Sequence, residues 1–184
     1  YAFEPTAFAY AKLARNLSLN PKVGPRVLAL QCCLTGEESG DLPPQICSSW
    51  PLTGGRDLHP KHLGARMSTN GASARTLDSI LAENGDPPVH LVKMDVDGFE
   101  CDVLSGARRM ISRYKPIFVM ELSPYVLVEH GHSLDQLMSF FVPLGYRFYD
   151  EKTDKQLSSD ITSLSRMIGD GASINAIAKC PPGA

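Results

Sequence analysis

The residues best suited to chemistry are the carboxylates of residues 93–100, whose sequence is KMDVDGFE. Asp95, Asp97 and Glu100 surround Gly98 at the point where an apolar run gives way to a helical pattern. Carboxylates that stand close together shift one another's proton affinity, and each can orient a substrate, accept a proton or hold a metal ion. Glycine lets the backbone turn tightly or approach a ligand. A simpler interpretation of Asp97 and Glu100 is that acids in the first turn of a helix complement its dipole.

Two further acids stand at the ends of predicted strands. Glu4 follows the apolar residues 1–3, and Glu121 closes the apolar residues 116–121. Ligands of open parallel α/β sheets bind beyond the carboxyl ends of the strands, so both acids are candidates for function. A carboxylate also matches a vicinal diol, which predicts that Glu4 accepts hydrogen bonds from ribose hydroxyls. The alternative for Glu4 is a solvated carboxylate at the start of a helix, where the dipole favours it.

Apolar runs bounded by turn residues predict the strands that position these acids. The predicted strands are residues 1–3, 26–34, 89–95, 116–122, 146–150 and 174–179. Helical spacing predicts helices between Pro5 and Asn20 and over residues 76–83, 99–113 and 134–142, with a weaker pattern at 161–168. The alternation indicates an α/β protein with a mostly parallel, doubly wound sheet. In that sheet, residues 26–34 are expected to be covered on both faces, residues 89–95 to be central, and the last two strands to pair antiparallel at one edge.

Residues 35–73 differ from the rest of the chain in composition. Glycine, proline and serine are abundant there, and no period of 2 or 3.6 residues is present. We predict a long irregular insertion with one or two short edge strands. Loops of this length within compact domains often form lids or binding walls. Its Trp50, His59 and His62 are therefore expected to shape a substrate pocket.

The bulk composition narrows the class of protein. The chain has 184 residues and a net charge of -2, which predicts one domain and disfavours nucleic acid as a partner. No apolar run approaches the roughly 18 to 20 residues that cross a bilayer. The five cysteines include no pair at CxxC spacing, so neither a zinc site nor a disulfide framework is expected. The composition indicates no oligomeric state, and the cytoplasm is the default compartment.

The order of the motifs resembles the FkbM-type methyltransferase family. The matching segments are AFEP at residues 2–5, LARN at 13–16, TLD at 76–78, KMDVDGFE at 93–100, VLSGA at 103–107, PIFVME at 116–121 and GY at 145–146. The resemblance implies a single domain over residues 1–184 with a Rossmann-like class I methyltransferase fold, seven strands and an antiparallel last strand. It also implies S-adenosylmethionine as the methyl donor and a hydroxyl group on a small molecule or sugar as the acceptor.

The same resemblance implies roles for individual residues. Phe3, Glu4 and Pro5 would hold the cofactor, with Glu4 on its ribose hydroxyls, and Cys33 would flank the adenine. Asp95 would face both the sulfonium methyl group and the acceptor. From the residues themselves, the candidate catalytic set is Asp95, Asp97, Glu100 and Glu121, with Asp95 or Glu121 expected to orient the substrate or act as the base, and no metal site is assigned. The glycine-rich turn that holds the methionine part of the cofactor belongs upstream of AFEP, so we expect the natural chain to be longer at its N terminus.

Two other hypotheses remain open. The sequence Asp95-Val96-Asp97-Gly98 resembles the strand end of haloacid-dehalogenase-type phosphohydrolases, whose first aspartate is the nucleophile, although Phe99-Glu100 replaces the usual Thr-Leu. A noncatalytic interaction module is the other alternative. A calcium loop is excluded because Phe99 and Glu100 stand where that loop needs an acid or amide and a glycine. His130 and His132 are weaker candidates for a catalytic base.

Overall fold

The computed structural model describes residues 1–48, 58 and 64–181. Trp50, His59 and His62 lie outside the described residues, so their predicted role stays a prediction. The chain divides into two compact units, Tyr1–Thr76 and Leu77–Ala184, and each is described by itself. No helix in the described part of the chain is both long and apolar enough to span a membrane.

In its described residues, the first unit has six short strands in three two-stranded sheets. These are β1 (Ala2–Phe3) parallel to β2 (Ala29–Leu30), β3 (Cys32–Leu34) parallel to β6 (Ser73–Arg75), and β4 (Gln45–Ser48) antiparallel to β5 (Ala65–Ser68). The predicted single strand over residues 26–34 is wrong, because the chain changes partners at Gln31. The Gln31 side chain donates a hydrogen bond to the Asn70 carbonyl at 2.8 Å. The two resulting strands are mostly half-buried, and only Cys32 is fully buried.

Helix α1 (Ala7–Ser18) follows β1, as the sequence predicts. Thr6 is its N-cap residue, with the extended backbone typical of that position. At the other end, the Asn20 side chain donates to the Asn16 carbonyl at 2.7 Å, which satisfies one of the last carbonyl groups of the helix. Strand β1 and helix α1 therefore fix the position of Glu4 between them.

The second unit has one four-stranded mixed sheet. Its spatial order is β7 (Leu91–Met94), β8 (Ile117–Leu122), β10 (Ile174–Lys179) and β9 (Arg147–Asp150). Strands β7 and β8 are parallel, and β10 is antiparallel to both neighbours. The predicted antiparallel pairing of the last two strands is confirmed. The antiparallel strand lies inside the sheet rather than at its edge, and β7 is an edge strand of the described sheet rather than a central one.

Small side chains explain why β10 fits inside the sheet. Ala176 and Ala178 are fully buried between strands that carry Met120, Phe118 and Phe148 on the same face. Phe118 and Phe141 meet edge to face with their ring centroids 5.0 Å apart. Burial of each large side chain of this core contributes about 1.5–3 kcal/mol. Because neighbouring residues of a strand point to opposite faces, Glu121 lies on the face away from this core.

Six helices accompany the sheet in the described part of the second unit. They are α2 (Leu77–Glu83), α3 (Glu100–Ser105), α4 (Arg108–Tyr114), α5 (Pro124–Glu129), α6 (Leu134–Ser139) and α7 (Ile161–Ile168). The predicted helix over residues 99–113 is two helices. Asp78 explains the break. Its backbone N–H donates a hydrogen bond to the Gly106 carbonyl at 2.9 Å, and its carboxylate accepts hydrogen bonds from the backbone N–H groups of Arg109 and Met110. Helix α5 was not predicted.

The architecture is thus mixed α/β with small sheets. Strands alternate with helical segments in the second unit, as the sequence predicts, whereas five strands follow α1 without an intervening α-helix in the described part of the first unit. The doubly wound arrangement stays a prediction. The acids of residues 93–100 follow β7 directly, and Glu121 belongs to the neighbouring strand β8. The fold therefore brings the carboxyl ends of these two parallel strands, and their acids, side by side.

Candidate active site

Three polar side chains form a row across adjacent strands of the second unit. In the parallel pair β7 and β8, Lys93 lies opposite Val119, and extending this register by two residues places Asp95 opposite Glu121. On the other side of β8, Asn175 lies opposite Glu121. All three side chains belong to the face away from the core, because they alternate with its buried residues. This row, Asp95, Glu121 and Asn175, is called the polar row below.

Asp95 is the most exposed acid of the cluster. Its carboxylate pairs with Lys93 Nζ at 2.9 Å, and both side chains are 57% exposed. An exposed pair of this kind contributes at most about 1 kcal/mol. Lys93 therefore holds the orientation of Asp95 more than it stabilises the fold.

The turn between Asp95 and α3 is built from two residues with left-handed backbone. Asp97 has φ +49° and Gly98 has φ +99°. A Cβ atom on Gly98 would collide with the His130 ring and with Val126. The next residue, Phe99, packs against the His130 ring with the ring planes tilted by 46° and the centroids 4.1 Å apart. Gly98 is therefore required both for the backbone conformation and for close packing against α5.

Glu100 is the buried acid of the cluster. It is only 5% exposed, and the Gly98 N–H approaches its Oε1 at 3.4 Å, which is a long hydrogen bond. Burial raises the pKa of Glu100, the negative charges of Asp97 and Glu121 raise it further, and backbone N–H groups of Glu100 and Gly98 partly oppose this. An acid that only complemented a helix dipole would be solvated. Glu100 has instead the buried, charge-crowded environment that tunes carboxyl groups for proton transfer.

A buried serine lies two residues after Glu121 in the chain. Ser123 is 8% exposed, and its Oγ has no hydrogen-bond partner within the described residues. It follows β8 by one residue, and alternation along the strand puts it on the same face as Glu121. Buried hydroxyls normally have a partner, so an unsatisfied one beside the polar row indicates where a ligand or water would complete the site.

A second serine contacts the site from the loop of residues 169–173, which was not predicted. Ser173 Oγ donates a hydrogen bond to Glu121 Oε1. The loop precedes β10, and because β10 is antiparallel to β8, its start lies at the carboxyl end of β8. Gly169 and Gly171 lie in this loop and are the sequence signal for it. The sequence does not specify that β10 pairs with β8, and this pairing is what brings the loop to Glu121.

The two histidines join elements around the site. His132 lies between Asp102 of α3 and Gln136 of α6, with ring nitrogens 3.1 Å from Asp102 Oδ2 and 3.2 Å from Gln136 Oε1. His130 packs on Phe99. In the part of the chain that the structure describes, no group of three or more His, Cys, Asp or Glu residues is placed to hold a metal ion.

Glu4 of the first unit has a different environment. Its Oε1 accepts hydrogen bonds from the N–H of Thr6 at 2.8 Å and from the Thr6 hydroxyl at 2.6 Å. The helix-start interpretation is therefore correct for one carboxylate oxygen. The other, Oε2, accepts no hydrogen bond from the described residues. Glu4 thus combines a fixed orientation with one oxygen available to a ligand.

A groove runs beside Glu4 within the first unit. It has a volume of about 380 Å³, and Phe3, Glu4, Phe8 and Lys12 are among the residues that line it. Lys12 Nζ lies 4.2 Å from the centre of the Phe8 ring. The volume falls in the range of small-molecule sites, about 300–1,000 Å³. Of the residues expected to hold a cofactor here, Phe3 and Glu4 line the groove, whereas Pro5 and Cys33 do not.

The second unit is that of an α/β protein with acids at the carboxyl ends of two neighbouring parallel strands, the end at which open parallel sheets bind ligands. The sequence model of the methyltransferase FkbM domain matches residues 1–148, and the chain belongs to this family. The resemblance drawn from the motifs is therefore confirmed. The match ends before α7 and β10, so the loop that carries Ser173 lies beyond the matched residues.

A solved structure has the same fold. The crystal structure of Methyltransferase FkbM from Methylobacillus flagellatus KT superposes with a TM-score of 0.50 at 18% sequence identity. The alignment covers 96% of this chain and 35% of that chain, so the present chain spans about a third of its length. No curated protein sequence matches the chain significantly. Neither match supports the phosphohydrolase alternative.

Proposed function

We propose that the protein transfers a methyl group from S-adenosylmethionine to a hydroxyl group on a small molecule or sugar. Membership of the FkbM methyltransferase family supports the reaction class. The observation that carries the proposal is Glu100, a buried carboxyl group with a raised pKa in a cluster of acids beyond β7. Methylation of a hydroxyl needs a group that removes its proton, and the cluster offers one.

Glu100 is the proposed proton acceptor. A general base works best when its pKa lies near the operating pH, and an ordinary glutamate is too weak a base near neutrality. Burial and the charges of Asp97 and Glu121 correct this by raising the proton affinity of Glu100. The hydroxyl proton would pass to the Glu100 carboxylate as the acceptor oxygen attacks.

The remaining acids are proposed to orient the acceptor. Asp95 and Glu121 are neighbours in the polar row, and Asp97 follows on the turn. Carboxylates accept hydrogen bonds from hydroxyl groups and repel anions, so the cluster favours a neutral, hydroxylated acceptor. Holding the acceptor in line for attack supplies much of the rate enhancement in a reaction of this type.

The first unit is proposed to contribute to cofactor binding through Glu4. When bound, S-adenosylmethionine supplies a sulfonium methyl group that an acceptor oxygen attacks in line. The Oε2 atom of Glu4 suits a ribose diol, and the groove beside it offers the aromatic rings of Phe3 and Phe8. Pro5 and Cys33 are proposed to contribute around this corner of the unit.

Methyl transfer from tritiated S-adenosylmethionine tests the proposal in the full-length protein. The acceptors are a panel of neutral methyl glycosides and polyols, measured against the matching uronic acids. We expect Glu100→Gln to lower kcat by at least about a hundredfold, the loss typical of removing a general base. The matched control is Glu83→Gln, which changes an exposed glutamate of α2. A Glu100→Gln variant that is folded and fully active would contradict the role of Glu100.

A further inference from the structure

We propose that Ser173 is a positioning residue that fixes the Glu121 carboxylate for acceptor binding, so that the loop of residues 169–173 forms part of the site. The inference rests on the proposed function, because Glu121 matters only if the polar row binds the acceptor. It assigns a role to a residue beyond the part of the chain that matches the FkbM domain.

The hydrogen bond from Ser173 engages one of the two carboxylate oxygens of Glu121. Ser173 Oγ donates to Oε1. The second oxygen, Oε2, accepts no hydrogen bond from the described residues, and the Glu121 side chain is half-buried. A glutamate has three side-chain torsions and loses considerable freedom when it is ordered. With Oε1 held, the orientation of the carboxylate is set before a ligand arrives, and Oε2 remains available to it.

The backbone that delivers Ser173 is well anchored. Helix α7 ends at Ile168 with Gly169 as its C-cap residue, and its Leu164 and Ile168 are buried. Gly169 has φ +84° and ψ 162°, a combination essentially restricted to glycine, and Gly171 has φ +68°. The chain then enters β10 directly, whose Ile174 pairs with Leu122 of β8. Ser173 is therefore held between a packed helix and a paired strand, one residue before Ile174 and within hydrogen-bond reach of Glu121.

The position of Glu121 in the sheet explains why its orientation matters. It is the middle member of the polar row, between Asp95 and Asn175. A rotation of its carboxylate would change what an acceptor meets across three strands. A misplacement of about 1 Å in such a group can lower a rate about a hundredfold. The Ser173 hydroxyl thus acts through Glu121 and has no need to touch the reacting atoms.

The test combines a measurement without acceptor and one with it, in the full-length protein. Side-chain ¹³C relaxation reports the order of the Glu121 methylene groups in wild type, Ser173→Ala and Ser173→Thr. The second measurement is the kcat of methyl transfer to the glycoside and polyol panel, together with the KM for S-adenosylmethionine. The control is Ser112→Ala, which removes an exposed hydroxyl on α4 that makes no hydrogen bond with the described residues.

We expect Ser173→Ala to lower the order of the Glu121 side chain to that of the exposed Glu151, and to lower kcat about tenfold or more. The KM for S-adenosylmethionine and the unfolding midpoint should not change, and Ser173→Thr, which keeps the hydroxyl, should restore both readouts. An active wild type whose Ser173→Ala variant keeps its Glu121 order and its kcat overturns the inference alone. A folded wild type that transfers no methyl group overturns the proposed function and this inference with it.

Discussion

Glu4 and Glu100 are two glutamates at strand-to-helix junctions, one in each compact unit, and their environments are opposite. Glu4 is half-buried and accepts two short hydrogen bonds from Thr6, which starts the next helix. Glu100 is buried and lies near two other negative charges, and the backbone N–H groups of Gly98 and Glu100 only partly offset this, the contact from Gly98 being a long one of 3.4 Å. The same residue type at the same kind of junction is therefore stabilising in its charged form at Glu4 and destabilising in its charged form at Glu100.

This difference matches the two proposed roles, ligand binding for Glu4 and proton transfer for Glu100. A satisfied carboxylate with one free oxygen is a fixed hydrogen-bond acceptor, which suits the recognition of a ligand. A buried carboxyl group with few hydrogen-bond partners favours its protonated form over its charged form. The sequence predicts Glu4 at the end of a strand and Glu100 in the first turn of the helix that follows another strand, and only the surroundings of the two acids distinguish their proposed uses.

The largest effect is expected at Gly98, where the turn before Glu100 packs tightly against α5. Gly98→Ala should lower the free energy of unfolding by roughly 2–5 kcal/mol, because the added Cβ collides with α5 and the backbone at φ +99° disfavours alanine. Gly131→Ala is the control, since Gly131 also has a positive φ but nothing lies within 4 Å of its Cβ position. It should lose only about 1 kcal/mol in the same urea titration. Equal losses in the two variants would show that the corner is not tightly packed.

The next effect concerns the pH dependence of stability. The pKa of Glu100 is higher in the folded than in the unfolded state, so the folded state binds the proton more strongly. The stabilisation from the protonated group is complete below the ordinary glutamate pKa and is lost as pH rises through the raised pKa. Each pKa unit of difference corresponds to about 1.4 kcal/mol.

Glu100→Gln removes this dependence. Urea unfolding between pH 4 and 8, values chosen to bracket roughly the ordinary glutamate range and neutrality, should show wild type losing stability relative to Glu100→Gln as the pH rises. The variant should therefore be the more stable protein at neutral pH. A wild type and variant with parallel pH profiles would mean that Glu100 is not strained.

At Glu4 the same substitution should have the opposite sign. Glu4→Gln weakens the hydrogen bonds from Thr6, because a neutral acceptor binds them less strongly than a carboxylate. We expect a loss of about 0.5–1 kcal/mol at neutral pH, measured by the same urea titration. Thr6→Val, which removes one donor and keeps the shape of the buried side chain, should cause a loss of similar size. A gain in stability from Glu4→Gln would remove the contrast between the two glutamates.

An effect of similar size is expected at Asp97, whose backbone is left-handed at φ +49°. Asp97→Gly and Asp97→Ala both remove the carboxylate, so their difference isolates the backbone contribution. The glycine variant should be more stable than the alanine variant by about 1 kcal/mol in thermal unfolding. Equal midpoints would argue against a left-handed turn at this position.

The elements of the second unit that follow strong local patterns could be predicted from sequence. Strand β10 lies at the predicted residues, and Ser133 caps α6 by accepting from the Gln136 N–H at 3.1 Å. Local patterns do not specify which strand pairs with which. The order of β8, β10 and β9, and the change of partner at Gln31, depend on contacts between residues far apart in the chain. Likewise, the helical pattern is interrupted at Gly106 because its carbonyl accepts a hydrogen bond from the backbone N–H of Asp78, a residue far away in the chain.

The candidate site shows the same division. Asp95, Asp97, Glu100 and Glu121 were identified because acids at strand ends are visible in a sequence. Ser123 and Ser173 were not, because a serine has significance only through what surrounds it. Ser123 stands out by lacking a partner, and Ser173 stands out by its contact with Glu121. Both properties arise from packing that a single sequence does not encode locally.

Calorimetric titration of S-adenosylmethionine into the full-length protein tests the central claim most directly. We expect micromolar binding by wild type and binding at least about tenfold weaker in Glu4→Gln, which corresponds to about 1.4 kcal/mol for the charge-assisted contact to a ribose diol. The control Glu37→Gln changes an exposed glutamate of the same unit and should bind like wild type. A folded wild type that gives no heat of binding would contradict the account, and equal affinity in Glu4→Gln would contradict the role of Glu4.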